Sequence, residues 1–309
     1  MYMYLPIALT SVNYLVVMGL GLGVGLLSGL FGVGGGFLMT PLLMMVGIPP
    51  TIAAATDANQ IVAASASGTI SHWRLGNVDF KMGLYLLIGG FVGGAGGVQV
   101  IKFLRATGGA DFLIKMTYVV MLGGVGSFMF VESLNAMRKT KKSSAVAAPA
   151  AAQKEKKGGF FAALPMQTYF EKSGVTHSAL VPLFLGTFVG VLAAIMGVGG
   201  GFLMVPVMIY MLRMPMHVVV GTSLFQILFT CIEVTYLQAY SNHTVDFILA
   251  IILLVGSVFG AQIGTVLGRK LHGDQLKILL SIIVLAVTVK IILELVLEPS
   301  ILLSYAGGH

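Results

Sequence analysis

The stretch Gly32-Val-Gly-Gly-Gly-Phe-Leu-Met-Thr-Pro41 decides the fold, because the chain contains it twice. The second copy, Gly197-Val-Gly-Gly-Gly-Phe-Leu-Met-Val-Pro206, differs at one position, where Val205 stands in place of Thr40. The copies lie about half of the 309-residue chain apart, and each follows an apolar run. Each glycine in a helix interior costs roughly 1 kcal/mol relative to alanine, so both copies predict a helix break.

The composition is that of a membrane protein. Hydrophobic residues make up 57% of the chain and charged residues 9%, against roughly 25% charged in soluble domains. Several apolar runs reach the ~20 residues needed to cross a bilayer. We therefore predict an all-α polytopic membrane protein. In lipid, helix breaks need protein or a water-filled cavity around them, and paired breaks in corresponding halves indicate a transporter binding site.

The apolar segments form two similar sets of five. We predict helices near 13–32, 37–48, 51–71, 82–101, 113–134, 179–196, 202–212, 217–238, 247–268 and 276–297. The similarity extends beyond the glycine motif, since Gly89, Gly93 and Gly97 match Gly256, Gly260 and Gly264. Such small-xxx-small ladders let helices pack closely. The sequence thus predicts two tandem homologous repeats, with about eight to ten membrane segments.

The orientation of the repeats has two solutions. If the short segments 37–48 and 202–212 turn back, each half crosses four times and the repeats are parallel. If they complete a crossing, each half crosses five times and the repeats are inverted. Residues 241–245 contain no Lys or Arg, whereas Arg269, Lys270 and Lys277 flank the next turn. With a cytoplasmic linker, the positive-inside rule favours inversion for the second half, and the first half decides nothing.

We divide the chain into a first transmembrane repeat (1–135), a basic linker (136–177) and a second repeat (178–309). Eight basic and two acidic residues lie between positions 138 and 172. This charge places the linker in the cytoplasm, in reach of anionic lipid; an Ala-rich run without interleaved aromatics argues against nucleic-acid binding. Residues 139–159 have the composition of a disordered segment. Phe160–Phe170 is either an interfacial amphipathic piece or a docked irregular segment.

Two smaller features bear on the cell compartment. Cys231 is the single cysteine, so no intrachain disulfide is possible. The first apolar run lacks a basic segment before it and an Ala-x-Ala-like site after it, so we expect a retained helix rather than a cleaved signal peptide.

With its duplicated glycine motif and its turn His72-Trp-Arg-Leu-Gly-Asn-Val-Asp-Phe80, the chain resembles the sulfite exporter TauE/SafE family, also called the toluene sulfonate uptake permease family. The resemblance covers nearly everything except the linker. It implies an inner-membrane carrier, an exporter, of sulfite, sulfonates or related small sulfur-containing anions. The second half departs from the pattern, because residues 238–243 replace the His-Trp-Arg turn, so His72 and Arg74 have no counterpart there.

The glycine motifs are the candidate substrate site. The start of a half-helix presents unpaired N–H groups and roughly half a positive charge, and glycine lets an anion approach the backbone. The alternative is that these glycines only allow close helix packing. The substrate-binding candidates in the two motifs are Gly32, Gly34, Gly35, Gly36, Phe37, Gly197, Gly199, Gly200, Gly201 and Phe202.

Polar residues beyond the motifs add further candidates for the same site. Neutral hydrogen-bonding side chains follow each short segment, and they either bind the anion or join helices: Thr56, Gln60, Thr222, Ser223 and Gln226. Asp57 is the proton-coupling candidate, because ionisable residues in spans are costly and indicate function. Glu233, near the end of its span, fits a snorkelling role. His72, Arg74 and Asp79 are turn or gate candidates.

The sequence argues against other function classes. Rhomboid-like proteolysis would need Gly-x-Ser-Gly, whereas Ser65-Ala-Ser67-Gly68 lacks the leading glycine. His, Cys and Glu residues show no metal-ligand spacing, and we predict no enzyme activity, cofactor or metal. A channel and a proton-coupled importer of a different small organic anion remain as alternatives, although two broken repeats suit a carrier that alternates its access.

Overall fold

The computed structural model describes residues 2–31, 36–140, 167–268 and 273–297. In this part of the chain each half starts with a two-stranded hairpin and continues with five helices. The first half consists of β1 (Tyr2–Leu5), β2 (Thr10–Asn13), α1 (Tyr14–Phe31), α2 (Gly36–Met45), α3 (Pro50–Arg74), α4 (Phe80–Ala106) and α5 (Ala110–Thr140). The second consists of β3 (Gln167–Phe170), β4 (Val175–Ser178), α6 (Leu180–Met196), α7 (Gly201–Tyr210), α8 (Met216–Leu237), a π-helical turn (Gln238–Asn242), α9 (Phe247–Gly268) and α10 (Gly273–Leu297).

The all-α polytopic architecture is confirmed. Each predicted apolar segment coincides with a helix. Within the described residues, four helices are long and apolar enough to cross a membrane: Phe80–Ala106, Ala110–Phe128, His217–Asn242 and Phe247–Gly264. The apolar helices Tyr14–Leu27, Gly36–Met45 and Leu180–Met196 are shorter. Large apolar side chains such as Val92, Phe103 and Phe184 are exposed on the helix surfaces, as expected where lipid is the solvent.

The two short helices, α2 and α7, begin directly at the glycine motifs. Each has 10 residues, which corresponds to ~15 Å of helix and so to about half of a ~30 Å bilayer core. They are too short to cross alone, as the sequence predicted. The first motif's residues 32–35 lie outside the described part of the chain, whereas the second motif is described in full.

Two β-hairpins are a feature that the sequence did not predict. β1 pairs with β2 and β3 pairs with β4, both antiparallel. Leu5 and Phe170 end the first strand of each hairpin and are fully buried. Gln167–Phe170 form a strand, so the irregular alternative for Phe160–Phe170 is wrong at this end, and the interfacial interpretation stays a prediction. The rest of that segment lies outside the described residues. Strands of four residues are too short for an alternating pattern to reveal them.

Two pairs of equivalent helices, α3 with α8 and α5 with α10, pack against each other and run antiparallel. On α3 and α8, the Cβ atom of His72 lies close to Gly221, whereas Ala58 shares a hydrophobic cluster with Val234. The contacting residue numbers therefore rise on one helix while they fall on the other.

The pair α5 and α10 follows the same rule, because Gly126 faces Val284 and Gly123 faces Thr288. Repeats related by an axis along the membrane normal would place equivalent helices parallel, and an axis in the membrane plane makes them antiparallel. The helix directions therefore favour the inverted arrangement.

Glycine ladders join the remaining helices between halves. A Cβ on Gly89 or Gly93 would collide with the main chain of α6 at Leu183 and Thr187, and one on Gly256 or Gly260 would collide with the main chain of α1. The close packing predicted for the small-xxx-small ladders is confirmed at these positions. α4 thus packs along α6, and α9 packs along α1. These two helix pairs join the halves in addition to α3 with α8 and α5 with α10.

The side of the membrane on which the chain ends is a testable consequence. Given a cytoplasmic linker, we expect a topology reporter fused after His309 to lie outside the cell, as five crossings in the second half require. The same reporter inserted at position 150 should lie in the cytoplasm and serves as the control. A cytoplasmic signal from both reporters would instead indicate parallel repeats of four crossings.

Candidate functional site

The second glycine motif forms a turn that sequence alone could only outline. Gly197, Gly199 and Gly200 have φ values of +72°, +69° and +75°, the left-handed region that glycine enters without a steric cost. Gly197 caps the end of α6, and Gly200 precedes the first turn of α7. The sequence therefore breaks a single apolar run into two helices at this point.

This turn lies between α3 and α8 and contacts both helices. A Cβ on Gly197 would collide with the backbone of Ala54 on α3. A Cβ on Gly199 would lie 2.7 Å from Sγ of Cys231 and 2.8 Å from Cγ2 of Ile227, both on α8. The glycines consequently allow this break in the second half to lie against α3 of the first half and α8 of its own half.

The two half-helices meet at their starting ends. The rings of Phe37 and Phe202 stack with centroids 4.5 Å apart and planes at 15°. Both side chains are buried. Phe37 follows Gly36, the first residue of α2, and Phe202 follows Gly201, the first residue of α7. Two segments 165 residues apart in sequence are thereby brought together in the interior.

Asp57 lies beside this meeting point and is fully buried. The hydroxyl of Thr40 donates to Oδ2 of Asp57 at 2.9 Å. Oδ1 has no hydrogen-bond partner within the described residues, and a Cβ built on Gly36 would lie 3.6 Å from it. The proton-coupling candidate thus turns one unpaired oxygen towards the start of α2.

The same network reaches the end of α6. Oγ1 of Thr40 lies 3.4 Å from the carbonyl oxygen of Met196, and the hydroxyl of Tyr118 donates to that carbonyl. Sequence reasoning missed Thr40 and Tyr118. The available signal for Thr40 was that its motif position is the one that differs between the copies. The carboxyl of Asp57 is therefore two hydrogen bonds from the second glycine turn.

Within the described residues, the second half has no counterpart of the Thr40–Asp57 pair. By the alignment of the repeats, Ser223 stands where the first half has Asp57, and Val205 stands where it has Thr40. The Ser223 hydroxyl donates to the carbonyl of Val220 in its own helix. The pseudo-symmetric site is consequently asymmetric in its charge-bearing residue.

Thr56 and Thr222 hold the start of a helix in the opposite half. Oγ1 of Thr222 accepts the N–H of Asp79 at 3.0 Å, and Oγ1 of Thr56 accepts the N–H of Asp246 at 3.2 Å. All four residues are buried. The helix-joining interpretation of these threonines thus has direct geometric support.

Asp79 and Asp246 also tie the hairpins to the helix starts. Oδ1 of each aspartate accepts a backbone N–H three residues along, which is typical of a helix N-cap. Oδ2 of Asp79 accepts from the N–H and the hydroxyl of Ser173, and Oδ2 of Asp246 accepts from the N–H of Ile7. Asp79, a turn or gate candidate, therefore stabilises the turn before α4.

Other predicted site residues lie at varying distances from the turns. Gln60 and Gln226 are buried on α3 and α8, and the Oε1 atom of each lacks a partner within the described residues. His72 and Arg74 lie in the last turn of α3, and Nδ1 of His72 is 3.5 Å from Nδ2 of Asn77. The structure brings the described glycines, Phe37, Phe202 and Asp57 together, and it places His72 and Arg74 at a helix end.

Two half-helices that begin at glycine motifs, beside a buried carboxyl, are typical of the class of membrane transporters with broken helices. The chain belongs to the sulfite exporter TauE/SafE family, whose sequence profile matches residues 17–291. This is a family of membrane transporters rather than of enzymes, and the chain is a multi-pass membrane protein.

Relatives match along nearly the whole chain. The probable membrane transporter protein YunE of Bacillus subtilis is 27% identical over 91% of this chain and 98% of its own length. The probable membrane transporter protein MJ0441 of Methanocaldococcus jannaschii is 24% identical over 84% and 88%. The sulfite exporter TauE/SafE family protein 1 of Arabidopsis thaliana is 33% identical over 35% of this chain and 24% of its own. No solved structure gives a significant match.

Proposed function

We propose that the protein is a secondary transporter, an exporter, of sulfite, an organosulfonate or a related small sulfur-containing anion, which binds between the two halves. The observation that carries this proposal is the meeting of α2 and α7, whose first phenylalanines stack at 4.5 Å. Each helix start offers backbone N–H groups without an intrahelical acceptor and the positive end of a helix dipole. Two such ends converge on one region of the interior.

The chemistry of this region suits a compact oxyanion. The polar side chains connected in this region by hydrogen bonds are Thr40, Asp57 and Tyr118, and this network contains no Lys or Arg. Neutral hydrogen bonds contribute ~1 kcal/mol each, so an anion held in this way is also released. A carboxylate or phosphate site would instead favour the fork of arginine. The family name that the relatives carry supports sulfite as the first substrate to test.

The direction of transport follows from charge. An interior-negative membrane potential contributes about 2.3 kcal/mol per charge per 100 mV to the exit of an anion. Export therefore needs no coupling ion. Alternating access of two halves, each carrying one broken helix, fits a carrier better than an open channel.

A specific observation favours a second candidate, proton-coupled uptake. Asp57 is fully buried with one unpaired oxygen beside the start of α2. An ionised carboxylate without a partner is costly in such a place and would repel an anion nearby. A proton on Asp57 would remove both the cost of the unpaired charge and the repulsion whenever the anion is bound. Movement of the anion would then be linked to movement of a proton.

We expect purified protein in liposomes to transport sulfite or sulfoacetate when a potential is imposed without a pH gradient. Sulfate and taurine, which differ in charge and size, test selectivity in the same assay, and protein-free liposomes give the background. Flux that saturates with concentration supports the carrier. Failure to move any of these anions by well-inserted protein would contradict the substrate proposal, and flux that never saturates would favour a channel.

A further inference from the structure

A line of polar side chains on α8 faces α4. Gln226, Thr230 and Glu233 are spaced by four and then three residues, which places them on one side of the helix. Nε2 of Gln226 donates to Oγ1 of Thr230 at 3.0 Å. Gln226 and Thr230 are fully buried, and Glu233 is half-buried. The line runs from the middle of α8 towards its C-terminal end.

Glycines of α4 make room for these polar groups. A Cβ on Gly90 would lie 2.7 Å from Oγ1 of Thr230 and 3.0 Å from Nε2 of Gln226. A Cβ on Gly94 would lie 2.9 Å from Oε2 of Glu233. The carboxyl of Glu233 thus lies against the backbone of α4 in the interior, which differs from the snorkelling interpretation of the sequence.

The equivalent interface of the other half lacks this arrangement. Where α8 has Thr230 and Glu233, α3 has Ala64 and Ser67 at the aligned positions. Where α4 has Gly90 and Gly94, α9 has Ser257 and Ala261. If both interfaces served only packing, small residues would suffice in each. One interface instead combines a carboxyl and a hydroxyl with the two glycines that accommodate them.

Two acceptor atoms in this line are buried without a partner among the described residues: Oε1 of Gln226 and Oε2 of Glu233. A carboxylate buried in this way is costly unless a cation pairs with it or a proton neutralises it. A protonated carboxyl gains an O–H donor, whereas its ionised form can only accept. Oε1 of Gln226 also lacks a donor among the described residues. This acceptor further favours an O–H donor, such as a protonated carboxyl, on the same side of α8.

Within the part of the chain that the structure describes, no cation pairs with Glu233. On its own helix the nearest titratable group is Cys231, and on α3 it is Asp57 at a similar level, since Ala58 and Val234 share one cluster. On α4 the charged residues beyond Gly94 are Lys102 and Arg105, which lie ~12 and ~16 Å further along the helix. α6 and α7 contribute no charged side chain.

We propose that Glu233 is a second proton-binding site within the membrane-spanning region, separate from Asp57, on the same side of α8 as the hydrogen-bonded pair Gln226 and Thr230. Proton binding by Glu233 does not depend on the substrate. Its use in the transport cycle rests on the proposed function, because only a carrier would couple release of this proton to movement of the anion.

The test is labelling with dicyclohexylcarbodiimide, which reacts with protonated carboxyls in apolar surroundings, followed by peptide mass spectrometry of the full chain in lipid. We expect label on Glu233 at neutral pH, less label as the pH rises, and none in Glu233→Gln. Gly94→Ala should reduce the labelling because its methyl group displaces the carboxyl. Gly96→Ala is the matched control, since a Cβ there meets nothing within 4 Å.

Unlabelled Glu233 in folded wild-type protein, or labelling that does not change with pH, would overturn the proposal. A second measurement separates it from the substrate proposal. If the second candidate function, proton-coupled uptake, operates, Glu233→Gln in liposomes with a pH-sensitive dye should lose the proton movement that accompanies anion flux while potential-driven flux remains. Unchanged proton movement in that variant would remove Glu233 from the coupling, whatever the transported anion.

Discussion

Gly200→Val is expected to abolish anion transport while leaving membrane insertion intact. Gly200 has φ +75° and precedes the first turn of α7. A left-handed backbone costs a non-glycine residue roughly 1–2 kcal/mol, and the new side chain would also collide with Val189. Both effects displace the start of α7, where we place the anion. Initial flux into liposomes, normalised to inserted protein, measures the loss.

Backbone strain alone must be separated from damage to the site. Gly108 has φ +78° in the turn between α4 and α5, and a Cβ there would meet nothing within 4 Å. Gly108→Val therefore introduces similar strain away from the glycine turns and should transport at close to the normal rate. If Gly200→Val inserts, folds and transports like the wild type, the motif serves packing and not binding.

Asp57→Asn should abolish any flux driven by a proton gradient and preserve flux driven by potential alone. Asparagine has the shape of aspartate and keeps an oxygen to accept from Thr40, but it cannot take up or release a proton. The two driving forces are imposed separately on the same liposomes. Ser65→Ala is the control on the same helix, because the Ser65 hydroxyl bonds only within α3.

The outcome also decides between the two candidate functions. A wild-type flux that potential alone drives, unaffected by Asp57→Asn, identifies an exporter without a coupling ion. A flux that requires the proton gradient and disappears in the variant identifies proton-coupled uptake. Proton-driven flux that persists in Asp57→Asn would contradict the role assigned to Asp57.

The helices could be predicted because their information is local. Apolar runs and glycine breaks located α2 and α7 to within a few residues: the predicted segment 37–48 became Gly36–Met45, and 202–212 became Gly201–Tyr210. The hairpins could not be predicted, because four-residue strands gain their stability from burial of Leu5 and Phe170 against distant helices. Such burial leaves no periodic pattern in the sequence.

The candidate site was predictable in its residues but not in its connections. The repeat singled out Thr56 and Thr222, yet their partners Asp246 and Asp79 belong to the opposite halves. The hydrogen bond from Thr40 to Asp57 likewise joins residues of two helices. The pairings of Thr56 and Thr222 depend on how the halves pack, and that of Thr40 with Asp57 depends on how α2 packs against α3. What the sequence could show is the departure from symmetry, at Thr40 and Asp57, where the polar network lies.

The central claim is that the protein is a carrier, in which one binding site for a sulfur oxyanion opens to the two sides of the membrane in turn. Counterflow tests this claim most directly. Liposomes loaded with unlabelled sulfite are diluted into a trace of labelled sulfite, with neither a potential nor a pH gradient. We predict that label accumulates transiently above its equilibrium level in wild-type and Gly108→Val liposomes, and not with Gly200→Val. Entry of label without any overshoot, or no entry at all, would contradict a sulfite carrier.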